Sequence, residues 1–245
     1  MISKATTKFL KSLQLKKYRR QERLFLVEGE KSVLEVLKSD FKVHQLLVTE
    51  KFMHDYAPEI TPVKHDVVTE KMLASAGTFV TNNAALAVVE MKPNTPVEVS
   101  TGYTLVLDGV NDPGNLGTII RTADWYGIRQ IVASDETAEF YNPKVIAASK
   151  GSFCRVNVYY ASLEKYLDEA GVPVYGAFME GENIHEVKFA PSGILLLGNE
   201  ARGISEKVME RVTCRITIPR YGAAESLNVA MATAIICDNI TRFVR

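Results

Sequence analysis

The sequence predicts an α/β protein of two parts. A small N-terminal α/β domain is expected over residues 1–97, and a larger domain built on a parallel sheet over residues 98–245. From residue 103 onward, short and almost wholly apolar strands alternate with helices, as they do in a parallel sheet covered on both faces. Ahead of that point, KPNTPVEVS (92–100) combines two prolines with polar residues and is the best linker candidate in the chain.

The N-terminal part is predicted to contain short strands and helices in mixed order. Residues 24–38 run from a strand through Gly29 into a helix. A strand over 42–49 and a short helix closed by Pro58 follow. Thr69 and Gly77 are expected at the two ends of a helix, and residues 84–91 form the last strand before the linker.

The C-terminal part is predicted to alternate strictly between strands and helices. Leu116, Ile119 and Ile120 recur at the spacing of a helix core face, and Pro143 fits the first turn of the next helix. The predicted strands are 104–110, 129–134, 155–160, 173–178, 193–198 and 214–219. The predicted helices are 115–127, 143–151, 162–171, 205–212 and one that starts at Leu227.

Charge is unevenly distributed along the chain, although the formal net charge is zero. Residues 1–23 hold eight basic side chains and one acid, and subtracting these from the totals of 29 each leaves 21 basic and 28 acidic residues in 24–245. Clustered cations bind nucleic-acid phosphates by releasing counterions. An amphipathic helix that docks on the body is the alternative, and its apolar side chains would be Phe9, Leu10, Leu13 and Leu15. The charge pattern alone leaves both interpretations open.

The sequence does not indicate a membrane protein or a metal-binding protein. No apolar run approaches the roughly 20 residues that span a bilayer, and the basic N-terminus lacks the features of a secretory signal. The three cysteines and four histidines are scattered and form no metal-ligand motif. We therefore expect a cytoplasmic protein without a membrane span or a metal site, whose cysteines are buried thiols in a reducing compartment.

Polar side chains follow two predicted strands and precede the last helix. One strand ends in GNE (198–200), another ends in ITIP (216–219), and a loop then leads to SLN (226–228). Because open α/β sheets bind ligands at the carboxyl ends of their strands, we expect these segments to meet at one cleft. The cleft would offer amides, a carboxylate and a hydroxyl but no cysteine or histidine, and so no ready nucleophile.

The polar residues of these segments, and those of the segment 107–127, also have a purely structural interpretation. Asn115 stands where a helix N-cap belongs, and Arg121 could be a surface cation. Glu225 and Ser226 could cap the last helix, whereas Asn228 is expected inside its first turn. Arg202 could pair with Glu200. The glycines of 107–127 do not match G-x-G-x-x-G, and no P-loop lysine follows them, so a dinucleotide or P-loop site is not indicated.

Three linked motifs carry a family resemblance. N-x-G-x-x-x-R-T-A (115–123), G-N-E-x-x-G (198–203) and I-P-x-x-G-x-x-E-S-L-N-V-x-x-A (218–232) resemble the motifs of the SpoU/TrmH family of RNA ribose 2′-O-methyltransferases, within the SPOUT superfamily. Residues 16–37 resemble the substrate-binding domain that many members carry, which is related to a large-subunit ribosomal protein. Arg220 and Ala230 stand where members often have Met and Ser, and 81–89 lacks a frequent Gln-Gly.

The resemblance implies a fold and a cofactor. The C-terminal segments would thread into a trefoil knot, which is one of the rare exceptions to the rule that protein chains are not knotted. The family is also dimeric, with its active site near the subunit interface. The knotted loops would hold S-adenosyl-L-methionine. By motif position, the cofactor-binding residues would be Leu197, Gly198, Ile218 and Leu227.

The resemblance also implies a reaction, the attack of a ribose 2′-hydroxyl on the cofactor's methyl group. The implied catalytic residues are Asn115, Arg121, Glu200, Ser226 and Asn228. A guanidinium has a pKa above about 12, so we expect Arg121 to orient the target phosphate and hydroxyl instead of acting as a base. The expected substrate is a guanosine of large-subunit ribosomal RNA. The alternatives are transfer RNA, or a non-catalytic RNA-binding assembly factor of the same fold.

Overall fold

The structure is a computed structural model that describes residues 2–96 and 102–244. The chain forms two compact units: Met1–Pro93 with Glu139–Cys154, and Asn94–Ala138 with Arg155–Arg245. The predicted domain boundary and residues 97–100 of the predicted linker lie outside the described residues. The described linker residue Asn94 is bound to the second unit, since its side-chain amide exchanges two 2.9 Å hydrogen bonds with the backbone of Tyr160.

A four-stranded sheet forms the centre of the first unit. Its strands are β1 (Leu24–Glu28), β2 (Val43–Val48), β3 (His65–Val67) and β4 (Ala85–Glu90), in the order β1-β4-β2-β3. β4 is antiparallel to β1 and β2, and β3 is parallel to β2. The apolar runs predicted β1, β2 and β4. β3 was not predicted because it has only three residues, which do not form an apolar run, and two of them are exposed.

Short helices surround this sheet. They are α1 (Lys4–Ser12), α2 (Lys16–Glu22), α3 (Glu30–Leu37), α4 (Glu50–Asp55), α5 (Ala57–Ile60) and α6 (Glu70–Ala76). Thr69 caps α6 as predicted, since its side chain accepts a hydrogen bond from the N–H of Met72. Leu10 and Leu13 are fully buried in a core that includes Leu73 of α6. The basic N-terminal segment is therefore docked on its unit.

Arg19 is part of this docking, whereas the other cations of the segment are not. Its side chain is buried, forms an ion pair with Glu139, and donates hydrogen bonds to the carbonyl oxygens of Leu13 and Gln14 at 3.0 and 2.7 Å. The other seven basic side chains of residues 1–23 are exposed. Leu15, expected to dock, is 59% exposed. Docking and a cationic surface therefore coexist in one segment.

Residues 139–154 supply aromatic side chains to the same unit. The rings of Tyr141 and Phe153 lie 4.6 and 6.1 Å from the ring of Phe25 in β1, and Phe153 also packs against Phe41 at 5.8 Å. The Tyr141 hydroxyl accepts a hydrogen bond from the N–H of Lys92, and burial raises the pKa of Tyr141 to about 12. The first unit thus takes part of its core from beyond the predicted domain boundary.

The second unit is built on a six-stranded parallel sheet, which confirms the predicted fold class. Its strands are β5 (Tyr103–Asp108), β6 (Gln130–Ala133), β7 (Asn157–Tyr160), β8 (Val174–Asn183), β9 (Gly193–Gly198) and β10 (Cys214–Thr217). Their order is β10-β8-β9-β5-β6-β7, and every neighbouring pair is parallel. β8 is longer than predicted because it pairs with β10 as far as Asn183.

Among the described residues, the α-helices of the second unit are α7 (Pro113–Trp125), α9 (Leu163–Glu169), α10 (Glu206–Met209) and α11 (Val229–Val244), while α8 (Pro143–Ser149) belongs to the first. α11 packs against α7 and β9. It begins two residues later than predicted, which places the polar sequence SLN in the loop before it. No helix within the described ranges is long and apolar enough to cross a membrane.

None of the three cysteines forms a disulfide within the part of the chain that the structure describes. Cys237 in α11 is buried, and burial raises the pKa of its thiol to about 12. Cys154 and Cys214 are only partly buried, so the expectation of buried cysteines is correct for Cys237 alone.

Candidate functional site

Two loops leave the carboxyl ends of β9 and β10 and line one cleft with the segment before α11. The cleft has a volume of about 730 Å³. Leu197 and Gly198 at the end of β9, Ile218 after β10 and Leu227 before α11 all belong to its lining. The structure therefore brings together the four residues that the resemblance associates with the cofactor.

The loop after β9 folds back tightly on the strand. Asn199 and Gly203 exchange two backbone hydrogen bonds of 3.0 and 2.9 Å, and Gly203 has a φ of +72°. A Cβ atom at Gly198 would lie 2.3 Å from the carbonyl carbon of Gly203. Glycine is therefore required at both positions for the loop to close against the cleft.

Asn199 holds this loop from inside. Its side chain is buried, and its Nδ2 donates to the carbonyl oxygen of Gly109 at 2.7 Å. Its Oδ1 accepts from the N–H groups of Ala201 and Arg202 at 2.9 and 3.1 Å. Asn199, in the G-N-E motif, was expected among the polar groups of the cleft, but no catalytic or cofactor-binding role was predicted for it. The sequence did not reveal that Asn199 is buried. Through its hydrogen bonds, the buried side chain holds the loop that carries Glu200, the next residue.

A chain of side-chain hydrogen bonds joins three of the five predicted catalytic residues. Asn115 Nδ2 donates to Glu200 Oε1 at 2.6 Å, and Asn228 Nδ2 donates to Asn115 Oδ1 at 2.9 Å. Asn115 comes from the first turn of α7, Glu200 from the loop after β9 and Asn228 from the residue before α11. Three segments far apart in sequence thus meet through side chains alone.

The cap of α7 is Asp112, not Asn115 as predicted. Asp112 Oδ1 accepts from the N–H of Asn115 at 2.9 Å. The reason is Pro113, which lacks an N–H group and occupies the first helical position, so the cap falls on the residue before it. The Asn115 side chain is therefore free to bind Glu200 and Asn228.

The cap of α11 is Asn228, which was expected inside the first turn. Its Oδ1 accepts from the N–H groups of Ala230 and Met231 at 3.0 and 3.3 Å, the second and third helical positions. This bond fixes the amide orientation, so that Nδ2 faces Asn115. The capping role suggested for Glu225 and Ser226 is wrong because the helix begins at Val229.

Arg121 and Ser226 are not joined to this chain. Both residues are exposed, and neither side chain has a hydrogen-bond or ion-pair partner within the part of the chain that the structure describes. Arg121 lies one turn before Trp125 on α7, and Trp125 is 84% exposed. The guanidinium and the hydroxyl are therefore accessible to a ligand that arrives from solvent.

Arg202 forms an ion pair with Glu136. The pair with Glu200 that the sequence suggested is not formed. The Arg202–Glu136 pair is 2.6 Å long and both side chains are about two-thirds exposed, so it contributes little to stability. Glu200 Oε2 has no protein partner among the described residues, which leaves one carboxylate oxygen able to accept a hydrogen bond from a ligand. No group of His, Cys, Asp or Glu in the described ranges has the geometry of a metal site.

Comparison with known proteins agrees with this geometry. The model of the SpoU rRNA methylase family matches residues 102–238, and that of the MRM3-like substrate binding domain matches residues 4–88. The 23S rRNA (guanosine(2553)-2′-O)-methyltransferase RlmP of Bacillus subtilis is 36% identical over 232 residues, which cover 92% of each chain.

Two solved structures have the same fold over nearly the whole chain. One, from Porphyromonas gingivalis, is described as an RNA methyltransferase of the TrmH family; it is 39% identical with a TM-score of 0.88 and 99% coverage of both chains. The other is an AdoMet-bound rRNA methyltransferase from Sinorhizobium meliloti, 26% identical, with a TM-score of 0.89 and coverage of 100% of this chain and 97% of that one.

These matches include all three motifs of the cleft and the N-terminal unit. The family match contains Asn115, Glu200 and Asn228, the residues of the hydrogen-bonded chain. The chain belongs to the SpoU rRNA methylase family.

Proposed function

We propose that this protein transfers a methyl group from S-adenosylmethionine to the ribose 2′-hydroxyl of a guanosine in large-subunit ribosomal RNA. The observation that carries the proposal is the Glu200–Asn115–Asn228 hydrogen-bonded chain, which begins in the wall of the cleft. The choice of RNA and base rests on the similarity to RlmP, whose name states a 23S rRNA guanosine. A ribosomal RNA substrate also agrees with the predicted cytoplasmic location.

The cleft fits a nucleoside cofactor. Its volume of about 730 Å³ lies within the roughly 300–1,000 Å³ typical of small-molecule sites. Leu197, Ile218 and Leu227 offer apolar contacts for a base and ribose, and Gly198 allows a ligand to approach the backbone closely. When bound there, S-adenosylmethionine supplies a methyl group already activated by the positive sulfonium.

The protein's own contribution is alignment of the acceptor ribose. In the proposed reaction the ribose 2′-oxygen would take the methyl group from the sulfonium, whose sulfur would leave as a neutral thioether, and the hydroxyl proton would pass to water. The amide chain holds Glu200 Oε1, which leaves Oε2 to accept a hydrogen bond from the ribose. Ser226 lines the cleft and offers a second hydroxyl contact. Fixed groups of this kind accelerate a reaction by positioning.

Arg121 is proposed to bind the phosphate of the target nucleotide. Its guanidinium is exposed and has no protein partner among the described residues. Arginine often binds a phosphate group through two parallel hydrogen bonds. A phosphate bound in this way would stabilise the charged guanidinium, which supports an orienting role over proton removal.

We also propose that residues 1–97 bind the RNA and that 98–245 form the catalytic domain, with the family's trefoil knot in the loops around the cleft. The match to a substrate-binding domain over residues 4–88 and the exposed cations of residues 1–23 support the first assignment. The two loops that line one cleft, with α11 packed on α7 and β9, support the second.

A homodimer is the proposed assembly. Trp125 on α7 and Met231 on α11 are 84% and 58% exposed, and these two helices contact each other. Large exposed apolar side chains on neighbouring helices are typical of a protein interface. An interface there would also place Arg121 close to the second subunit.

Methyl transfer with tritiated S-adenosylmethionine tests the proposal directly. The substrates are unmodified 23S rRNA and unmodified tRNA, both transcribed in vitro, and nucleoside analysis of the product identifies the base. We expect 2′-O-methylguanosine in 23S rRNA only. Methylation of tRNA alone would favour the tRNA alternative, and RNA binding without transfer to either RNA would favour a non-catalytic assembly factor.

A further inference from the structure

Glu28 is a buried carboxylate that the proposed reaction does not use. It ends β1 and is 6% exposed. Its two oxygens accept hydrogen bonds from the N–H of Thr78 at 2.9 and 3.0 Å, from the Thr78 hydroxyl at 2.6 Å and from the N–H of Phe79 at 3.3 Å. Hydrogen bonds to a carboxylate are among the strong ones in proteins, so Glu28 holds the loop after α6 in one conformation.

The loop is fixed on both sides of residues 78–81, here named the tip loop. Before it, a Cβ atom at Gly77 would lie 2.0 Å from Glu28 Oε2, so only glycine lets the carboxylate reach the loop. After it, the buried side chain of Asn82 donates to the carbonyl oxygen of Ala85 at 2.9 Å and accepts from the N–H of Ala84 at 3.2 Å.

Val80 is displayed at the surface by this support. Its side chain is 94% exposed, although both flanks of the tip loop are held by buried polar groups. Two buried side chains thus stabilise a loop whose central side chain is almost fully exposed. A rigidly held apolar side chain loses little entropy when a partner covers it, which is how preorganised binding sites gain affinity.

The turn that precedes two exposed cations is bonded to Gly77, the residue before the tip loop. Gln14 Nε2 donates to the carbonyl oxygen of Gly77 at 2.9 Å, which ties the turn between α1 and α2 to the start of the loop. Lys16 and Lys17 come two and three residues after Gln14 in the sequence and are exposed. The Cα atom of Lys16 lies within about 7.6 Å of that of Gln14, because consecutive Cα atoms are about 3.8 Å apart.

We propose that the tip loop is a binding site for an unpaired RNA base, which packs on Val80 while Lys16 and Lys17 bind the flanking phosphates. The inference rests on the proposed function, because it specifies which part of the RNA substrate the N-terminal unit holds. In a paired helix the bases are stacked and cannot reach an apolar tip. The cations alone would bind any RNA, and Val80 adds the preference for an unpaired base.

The test compares full-length variants on two RNA probes, an unmodified 23S rRNA transcript and a fully paired RNA duplex. Val80→Ser removes the apolar contact without adding charge. Val67→Ser is the matched control, since Val67 is an exposed valine (45%) of the same unit. Lys16→Gln/Lys17→Gln removes the two cations. Affinity is measured as a function of salt, and thermal melts followed by circular dichroism check that each variant is folded.

Val80→Ser should weaken transcript binding about five- to tenfold, as expected for loss of most of one buried valine contact. Its salt slope and its duplex affinity should not change, because an apolar contact releases no counterions. The double lysine variant should lower the slope on both probes by roughly 0.7–0.9 per lost phosphate contact. Val67→Ser should bind both probes as the wild type does.

Two results would overturn the inference. If Val80→Ser binds the transcript as tightly as the wild type does, Val80 does not contact RNA, and a protein would be the remaining candidate for its partner. An equal loss on transcript and duplex would show that no unpaired base is involved. If the wild type methylates the transcript but Val80→Ser behaves like Val67→Ser, only this inference fails. If the wild type neither binds nor methylates RNA, the proposed function fails with it.

Discussion

Asn228→Asp separates two roles that one side chain performs. Asn228 Oδ1 caps α11, and Nδ2 donates to Asn115. Aspartate keeps the capping oxygen but has no N–H to donate, whereas Asn228→Ala removes both groups. Asn115 cannot compensate in the aspartate variant: if its amide turns to donate to residue 228, its oxygen faces the carboxylate of Glu200.

The expected magnitudes follow from these contacts. Loss of an N-cap costs about 1 kcal/mol, which for a chain of this length lowers the Tm by about 2–4 °C, so Asn228→Ala should melt earlier by that amount. Aspartate caps as well as asparagine, and its charge is favourable at a helix N-terminus, so Asn228→Asp should keep the wild-type Tm. Both variants remove the hydrogen bond that holds the Asn115 side chain, which in turn orients Glu200. Methyl transfer should therefore fall on the order of a hundredfold in each.

Thermal melts followed by circular dichroism and tritium transfer to 23S rRNA measure the two effects separately. The matched control is Asn142→Asp, the same substitution at the cap of α8, where the side chain accepts from the N–H of Lys144 at 2.9 Å. This control should keep both its Tm and its activity. Normal turnover by Asn228→Asp would refute the role of the hydrogen-bonded chain, and an unchanged Tm for Asn228→Ala would refute the cap.

Three further predictions concern residues outside this chain. Arg121→Ala should abolish methyl transfer yet keep cofactor affinity within a few-fold by calorimetry, because it acts on the RNA; near-normal turnover would contradict that role. Arg19→Gln should destabilise the protein by about 3 kcal/mol in urea unfolding, since it leaves a buried carboxylate unpaired, whereas Lys16→Gln/Lys17→Gln should unfold like the wild type. Trp125→Glu should convert a dimer into a monomer by light scattering, and an unchanged mass would argue against the proposed interface.

The sequence by itself determined the fold class and which segments line the cleft. Strands β5, β6 and β9 are mostly buried apolar runs, and helices stand between most of the strands, although none lies between β8 and β9. That local pattern is sufficient to predict a parallel sheet. The residues of the cleft could be named because the GNE, IP and SLN motifs stand at strand ends and at a helix start, where ligands of such sheets bind. Both predictions depend on neighbours in sequence.

Only the tertiary structure decided which polar groups meet. Asn115 and Arg121 belong to one motif, yet Asn115 is bonded to Glu200 and Asn228, whereas Arg121 has no protein partner in the described ranges. Arg19 resembles its cationic neighbours in the sequence, but Glu139, 120 positions away, forms an ion pair with it inside the core. Local periodicity encodes which face of an element is buried. It does not encode the partner on the other side, because that depends on how distant segments pack, and so the cap, the ion pair and the hydrogen-bonded chain emerged only in the folded protein.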